Sequence, residues 1–194
     1  MTNIDLVDRC LIALLQVDGR LSHAEIARKL DIPEPTVRRR LKRLIDEEVM
    51  QVVAVPDPLK IGYVLHAIVG AKVEPGRIND DTSRLITLRN VRYVGVTAGT
   101  YDIVIEALFR DNEDFRKFLT ETLGSIEGLR ETETSYVLDI AKRSYRVGLA
   151  ADIEQGEMMP EERELLERCR AQLREMEQAA ARRATGSGAA RKDD

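Results

Sequence analysis

Cysteine is almost missing from this chain: Cys10 and Cys169 are the only two in 194 residues. They stand far apart with no neighbouring ligand set, which excludes a disulfide framework and a zinc site of the usual spacing and suits a reducing cytoplasm. Histidine is as scarce, with His23 and His66 alone. No Ser/His/Asp set, metal-ligand spacing or phosphate-cradling glycine loop accompanies them. His66 sits mid-strand in an apolar run, the setting of a packed core residue rather than an acid or base. No stretch approaches the roughly 18 continuous apolar residues of a membrane span, and the N-terminus lacks the basic-then-apolar order of a leader. An overall positive charge is absent too. The formal net charge is −4, so any contact with nucleic acid must be local. What remains is an ordinary globular composition, 43% hydrophobic, sufficient for one domain or two small ones.

The most informative stretch runs from Leu21 to Met50 and reads as two short helices joined by a tight turn. Ser22 and Glu25 have the capping-box spacing, in which each side chain satisfies a free amide of the other's turn. Ile26, Ala27 and Leu30 give that helix one apolar face. Pro33 stops it, lacking an amide hydrogen and pushing Ile32 away from helical angles. A second helix begins near Pro35, with Val37, Leu41, Leu44 and Ile45 on one side and Thr36, Arg39 and Arg43 opposite, flanked by Arg38, Arg40 and Lys42. Between Arg28 and Ile45 there are seven cations against two anions, a local surplus of five. A cationic run on a helix is by itself an ordinary solvated face. Joined to a capped first helix, a short turn and an opposed apolar stripe, it has the build of a helix-turn-helix whose second helix enters a major groove.

An earlier helix precedes this unit, capped by Asn3 or Asp5, with Leu6, Val7, Cys10, Leu11, Leu14 and Leu15 as its apolar positions and the turn Asp18, Gly19, Arg20 as its end. Cys10 reads as a core residue. Beyond Glu48, the β-branched run Met50 to Val55 predicts a strand, and Pro56, Asp57, Pro58 and Gly62 a hinge. Tyr63 to Val73 alternates with period two, Tyr63, Leu65, Ala67, Val69 and Ala71 sharing a face. A short helix over Ile78 to Leu88 with Leu85 and Ile86 inward follows. Strands Val91 to Ala98 and Asp102 to Phe109 are joined by a Gly99, Thr100, Tyr101 turn, then come a helix around Phe115 to Thr122 and a last strand Leu129 to Ile140, with 141–147 as an extension. The order β-α-β-β-α-β is that of ferredoxin-like folds. Its sheet carries helices on one face only, so a second copy of the chain is expected to cover the other. Pro160 opens a final helix to about Ala181, with Leu165, Leu166, Cys169, Leu173, Met176 and Ala180 as a stripe too narrow for a core, suited to docking on this chain or another. Residues 182–194 read as disordered.

These parts together resemble the Lrp/AsnC family of feast/famine transcriptional regulators, over Ile4 to about Leu149. The closest correspondences are the Asp18, Gly19, Arg20 turn, the Val37 to Leu44 helix, the Ala98 to Asp102 turn and the Ile126 to Leu138 closing strand. The expected architecture is α+β: a three-helix (winged) helix-turn-helix domain over 1–49, a strand and hinge over 50–62, a ferredoxin-like βαββαβ (ACT-like, RAM) domain over 63–149, a C-terminal amphipathic helix over 150–181 and a tail. The resemblance implies a cytoplasmic, non-enzymatic regulator of double-stranded DNA. It implies a homodimer assembling into tetramers or octamers, and a small effector such as an amino acid held between dimers; no cofactor, metal or membrane is expected. It carries DNA contact to Ser22, Glu34, Pro35, Thr36, Arg38, Arg39, Arg40 and Arg43, and effector contact to Gly99, Thr100, Tyr101, Asp102, Thr132 and Thr134. An Asp102 carboxylate suits an α-amino group, and hydroxyls with turn amides suit an α-carboxylate. The plainer reading is a hairpin turn with a solvated aspartate and threonines that merely favour a strand. Two positions depart from the family: Pro33 stands where a hydroxyl commonly caps the recognition helix, and Glu34 would oppose a phosphate at that helix start. The alternatives are an enzyme resembling siroheme decarboxylases, which share this architecture, and a pure assembly module.

Overall fold

The computed structural model of the chain describes residues 3–147 and 158–188. They form two compact units, one made of the N-terminal helices together with the C-terminal helix, the other spanning Val55–Arg143. No helix among the described residues is long and apolar enough to cross a membrane.

The first unit contains α1 (Leu6–Val17), α2 (His23–Leu30) and α3 (Glu34–Asp46). Asp5 caps α1 in a reciprocal box with Asp8, and Ser22 caps α2 with Glu25 in the same way, each pair satisfying amides that a helix start leaves free. Asp31 closes α2 in the left-handed conformation. Pro33 caps α3 without a side-chain hydrogen bond, as its lack of a polar group requires. Leu11, Leu14, Ile26, Leu30, Val37 and Leu44 are fully buried between the three helices.

One polar group is sealed into this unit. Asp8 has no exposed surface, and its carboxylate receives Arg40 at 3.0 Å and Arg43 from across the interface, while Arg40 also reaches Asp5 at 2.6 Å. A buried carboxylate is tolerable only with such partners. Two arginines of α3 are thereby committed to holding α1. For Asp5, burial acts to raise the carboxyl, but the Asp8 amide and the Arg40 guanidinium outweigh it and hold the group below the usual aspartate range.

The C-terminal helix, α6, runs Pro160–Gly188, past the expected end at Ala181 and into the segment read as disordered. Residues 189–194 lie outside the described residues, as do 148–157. Its stripe is not too narrow for a core: Leu166 and Cys169 are buried in the cluster built by α1, α2 and α3, with Leu165, Leu173 and Met176 packed beside them. The helix therefore belongs to the helix-turn-helix unit rather than standing alone.

In the second unit a 3-10 turn, Leu59–Ile61, ends at Gly62, and four strands follow: β1 (Leu65–Val73), β2 (Val91–Val96), β3 (Ile103–Phe109) and β4 (Leu129–Tyr136). Their order is β2-β3-β1-β4, antiparallel throughout, the ferredoxin-like arrangement. Helices α4 (Ile78–Leu85) and α5 (Asn112–Lys117) join them; α5 widens into a broader turn over Phe118–Thr122 and tightens to a 3-10 turn over Leu123–Ser125. Ala67, Val69, Ala71, Ile103, Ile105, Ala107 and Phe109 face these helices and form the core with Leu85, Phe118 and Leu123. Phe109 packs against Phe115 and Phe118 at 5.2 and 5.0 Å between ring centres.

Three expectations are corrected. The expected strand over Met50 to Val55 does not form, since among the described residues no strand pairs with it and β-branching alone does not make a ladder. Ile86 is 64% exposed, because the helix ends at Leu85 and the next side chain falls outside its inward face. The last strand stops at Tyr136; only the Val137 amide continues to β1, donating to the His66 carbonyl at 2.9 Å.

Asp8→Ala is expected to destabilise the first unit by about 2 to 4 kcal/mol in urea unfolding, because it leaves Arg43 without its carboxylate, removes one of the two partners of Arg40 and breaks the cap of α1. The Asp5 contribution, from a depressed folded pKa, is present above the unfolded aspartate range and is lost as pH falls through the folded value. Asp5→Asn therefore flattens the acid limb of the pH–stability curve.

Candidate functional site

The outward face of α3 is the first candidate. With Val37, Leu41 and Leu44 turned inward, Glu34, Pro35, Arg38, Arg39 and Lys42 line an open concavity of about 490 Å³. Arg38 pairs with Glu34 at 2.9 Å one turn away, and Lys42 with Asp46. Both pairs are largely exposed, so each is weak and can give way to a phosphate. Arg39 is exposed and has no ion-pair partner among the described residues. Thr36 is half-buried on the same helix. Arg40 and Arg43 point elsewhere, into the Asp5 and Asp8 carboxylates. Helical spacing alone had set Arg43 opposite the apolar stripe. The signal that would have revealed its partner is the aspartate at the third position of α1, which a capping box exposes at its start but packing buries. The Ser22 hydroxyl is occupied as well, donating to Glu25 at 2.6 Å and accepting the Glu25 amide at 3.2 Å.

The hairpin between β2 and β3 is the second candidate. Gly99 takes a φ of 152° there, open to glycine and strained for other residues. Thr97 donates its hydroxyl to the Tyr101 carbonyl at 2.6 Å and its amide to the Asp102 carbonyl at 2.8 Å. The Asp102 carboxylate is not free in solvent: it accepts the Val73 amide at 2.8 Å, and the Asp102 amide donates to the Ala71 carbonyl at 3.0 Å. Tyr101 lies across Gly70, whose missing Cβ leaves room for the ring; an added one would meet it at 2.5 Å. The Tyr101 hydroxyl donates to Glu133, which holds it above the usual tyrosine range. Cross-strand partners share a face. Thr132 and Thr134 pair with Ala71 and Val69 and so lie on the helix side, whereas Glu133 pairs with Gly70 on the open side. The structure thus brings Gly99, Thr100, Tyr101 and Asp102 together at one end of the sheet and sets Thr132 and Thr134 across it from Tyr101. Glu133, which anchors Tyr101, carried no signal in the sequence.

His66 alternates to the open face, not the core. It is 16% exposed, with Nε2 3.0 Å from Glu106 Oε1, and Arg143 Nη2 lies 3.9 Å from the same oxygen. The approach is off the ring N–H axis, so the imidazole has no aligned hydrogen bond. His66 and Arg143 border a cavity of about 480 Å³ within the second unit, walled by Pro58, Tyr63, Leu108 and Val137.

Comparison with known proteins agrees with this layout. An AsnC-type helix-turn-helix domain model matches residues 4–45, and an Lrp/AsnC ligand-binding domain model matches residues 66–147. An uncharacterised HTH-type transcriptional regulator of Pyrococcus abyssi is 36% identical over 143 residues, 73% of this chain and 90% of that protein. The HTH-type transcriptional regulator FL11 of Pyrococcus furiosus is 32% identical over 142 residues, 73% of this chain and 93% of that one. Among solved structures, the Neisseria meningitidis regulator NMB0573 in complex with L-Met superposes with a TM-score of 0.70 at 25% identity, covering 76% of this chain and 97% of that one. Escherichia coli AsnC has the same fold, with a TM-score of 0.67, 22% identity and coverage of 73% and 97%. With a DNA-reading helix pair and a ferredoxin-like ligand-binding domain in the order these relatives share, the chain belongs to the Lrp/AsnC family of transcriptional regulators.

Proposed function

We propose that this DNA-binding regulator acts in the cytoplasm, reading a near-palindromic operator as a homodimer or higher assembly through Arg38, Arg39 and Lys42 on α3. Thr36, Pro35 and Glu34 sit at the entry to the groove. The observation that carries the reading is the division of labour on α3: Arg40 and Arg43 face the Asp5 and Asp8 carboxylates, and the remaining cations face solvent. A two-fold dimer presents two such faces about one DNA turn apart, which is why the operator is expected to be nearly palindromic. The open sheet face, with Ile68 and Tyr93 exposed, supports coverage by a second copy, since such an apolar face is costly in water. Ser22 is assigned to holding the start of α2 rather than to a phosphate, since its amide and hydroxyl are both engaged by Glu25.

For the effector, the hairpin end of the sheet is the proposed region. Backbone groups at Gly99 and Thr100 and the Thr100 hydroxyl are its contact points, with Tyr101 and Asp102 shaping it; Thr132 and Thr134, on the helix side of the sheet, are left out of it. A small amino acid would regulate only through unequal affinity for two assemblies or arm spacings. The chain is read as a non-enzyme. The cavity beside His66 is the one observation that favours a decarboxylase-like alternative, and there the imidazole lies against a carboxylate already approached by Arg143.

The test is selection of genomic fragments by the purified protein at physiological salt, with footprinting and a scan of amino acids for altered retention. Recovery of a few near-palindromic sites is expected; retention without sequence preference overturns the reading. Arg39→Ala should weaken operator binding roughly tenfold and lower the salt-dependence slope by about 1, with oligomer size unchanged. Arg40→Ala should lower stability and leave that slope as it was. Asp102→Ala should destabilise the second unit by about 1 kcal/mol through the lost Val73 contact, with or without effector. Thr100→Val should reduce only the effector response.

A further inference from the structure

Cys10 on α1 and Cys169 on the C-terminal helix are the only cysteines of the chain, separated by most of its length. Both have no exposed surface, and both belong to the same buried cluster. The register that brings them together is set by polar contacts on either side of Cys169. Arg168 donates to Asp31 at 2.7 Å, and Lys29 donates to Gln172 at 2.8 Å. Leu166 and Leu173 pack into the same interface, so the helix can neither slide nor rotate without breaking one set of contacts. The neighbouring Cys169 thiol and burial push the Cys10 thiol up, and the Cys10 thiol in turn draws Cys169 down. Neither residue takes part in the outward face of α3, the hairpin or the His66 cavity. The C-terminal helix also lies beyond the regions matched by the two family models, which end at residues 45 and 147.

We propose that Cys10 and Cys169 are a modification site, an oxidisable dithiol whose disulfide staples the C-terminal helix to the helix-turn-helix. Hydrogen peroxide is the oxidant class that suits the position, being scarcely larger than water, whereas a bulky disulfide has no way into a closed core. Brief detachment of the C-terminal helix, held by one apolar stripe between charged flanks, admits it. The sulfur of Cys169 attacks one peroxide oxygen, the O–O bond breaks, and a sulfenic acid and one water result. The sulfur of Cys10 then attacks the sulfenic sulfur, the S–O bond breaks, the S–S bond forms and a second water leaves. Two thiols lose two electrons and two protons, and peroxide is reduced to two waters. The closed loop spans most of the chain, so the bridge removes much of the freedom of the unfolded state and resists departure of the helix.

The experiment treats the purified full chain with hydrogen peroxide, quenches it, and measures thiols in denaturant, intact mass and trypsin cleavage at Arg163 and Arg174. The expected result is loss of both thiols, a mass lower by about 2 Da, no covalent dimer on a non-reducing gel, and cleavage slowed roughly tenfold or more. Dithiothreitol should reverse all of it. Cys169→Ser should retain its remaining thiol unbridged and show no slowing after peroxide; Cys10→Ser should behave alike. Survival of both thiols at a peroxide dose that oxidises the urea-unfolded chain would overturn the proposal. So would a mass gain of about 16 or 32 Da without a bridge, or disulfides formed only between chains.

Discussion

The DNA-reading unit depends on one buried charge. Asp8 stands at the start of α1 with no exposed surface, and a carboxylate in that position must be neutralised and hydrogen-bonded or it unfolds its surroundings. Arg40 and Arg43 meet that demand from α3. Their geometry fixes the rotation of α3 about its own axis, since both guanidiniums must point at α1 for the pair to close. Once the rotation is fixed, Arg38, Arg39 and Lys42 have only the solvent side left. The cationic face of the recognition helix is thus a consequence of how its other cations are used, and the arginine run serves two purposes at once.

A comparable economy governs the sheet. The hairpin between β2 and β3 is tied to the end of β1 by the Asp102 carboxylate on the Val73 amide and by Tyr101 lying over Gly70 towards Glu133. Residues that look like a ligand's contacts are partly engaged in holding the turn in place. On the proposed reading, a turn held this firmly would offer an effector fixed backbone groups, at little entropic cost, in place of a free carboxylate. Meanwhile the alternation of β1 sends Ala67, Val69 and Ala71 to the helices and His66, Ile68 and Gly70 to the opposite face, so the open side of the sheet collects the mixed apolar and charged surface on which assembly is proposed.

The C-terminal helix changes the character of the first unit. Its stripe is narrow, yet Leu166 and Cys169 are fully buried, because α1 and α2 leave an apolar groove that three helices alone cannot close. The polar contacts at Lys29 and Asp31 sit at the C-terminal end of α2 and leave the outward face of α3 clear. The helix therefore buttresses the DNA-reading pair from behind.

Much was legible in the amino-acid order because it is local. The capping box at Ser22, the break at Pro33, the period-two run of β1, the glycine turn at Gly99 and the β-α-β-β-α-β order all follow from interactions within a few residues, and they specify the elements and the family; the choice of Asp5 over Asn3 as the cap of α1 came only with the structure. What the order of residues does not contain is which polar groups meet across elements. Arg43 faces a carboxylate thirty-five residues away, Tyr101 is anchored by Glu133 on another strand, and Cys169 completes a core begun at Cys10. The extended run before Pro56 shows the converse, since β-branched residues favour a strand but a ladder needs a neighbouring backbone. Periodicity tells which face of a helix or strand is apolar; only packing decides which partner covers that face, and hence which charges remain outside to do the binding.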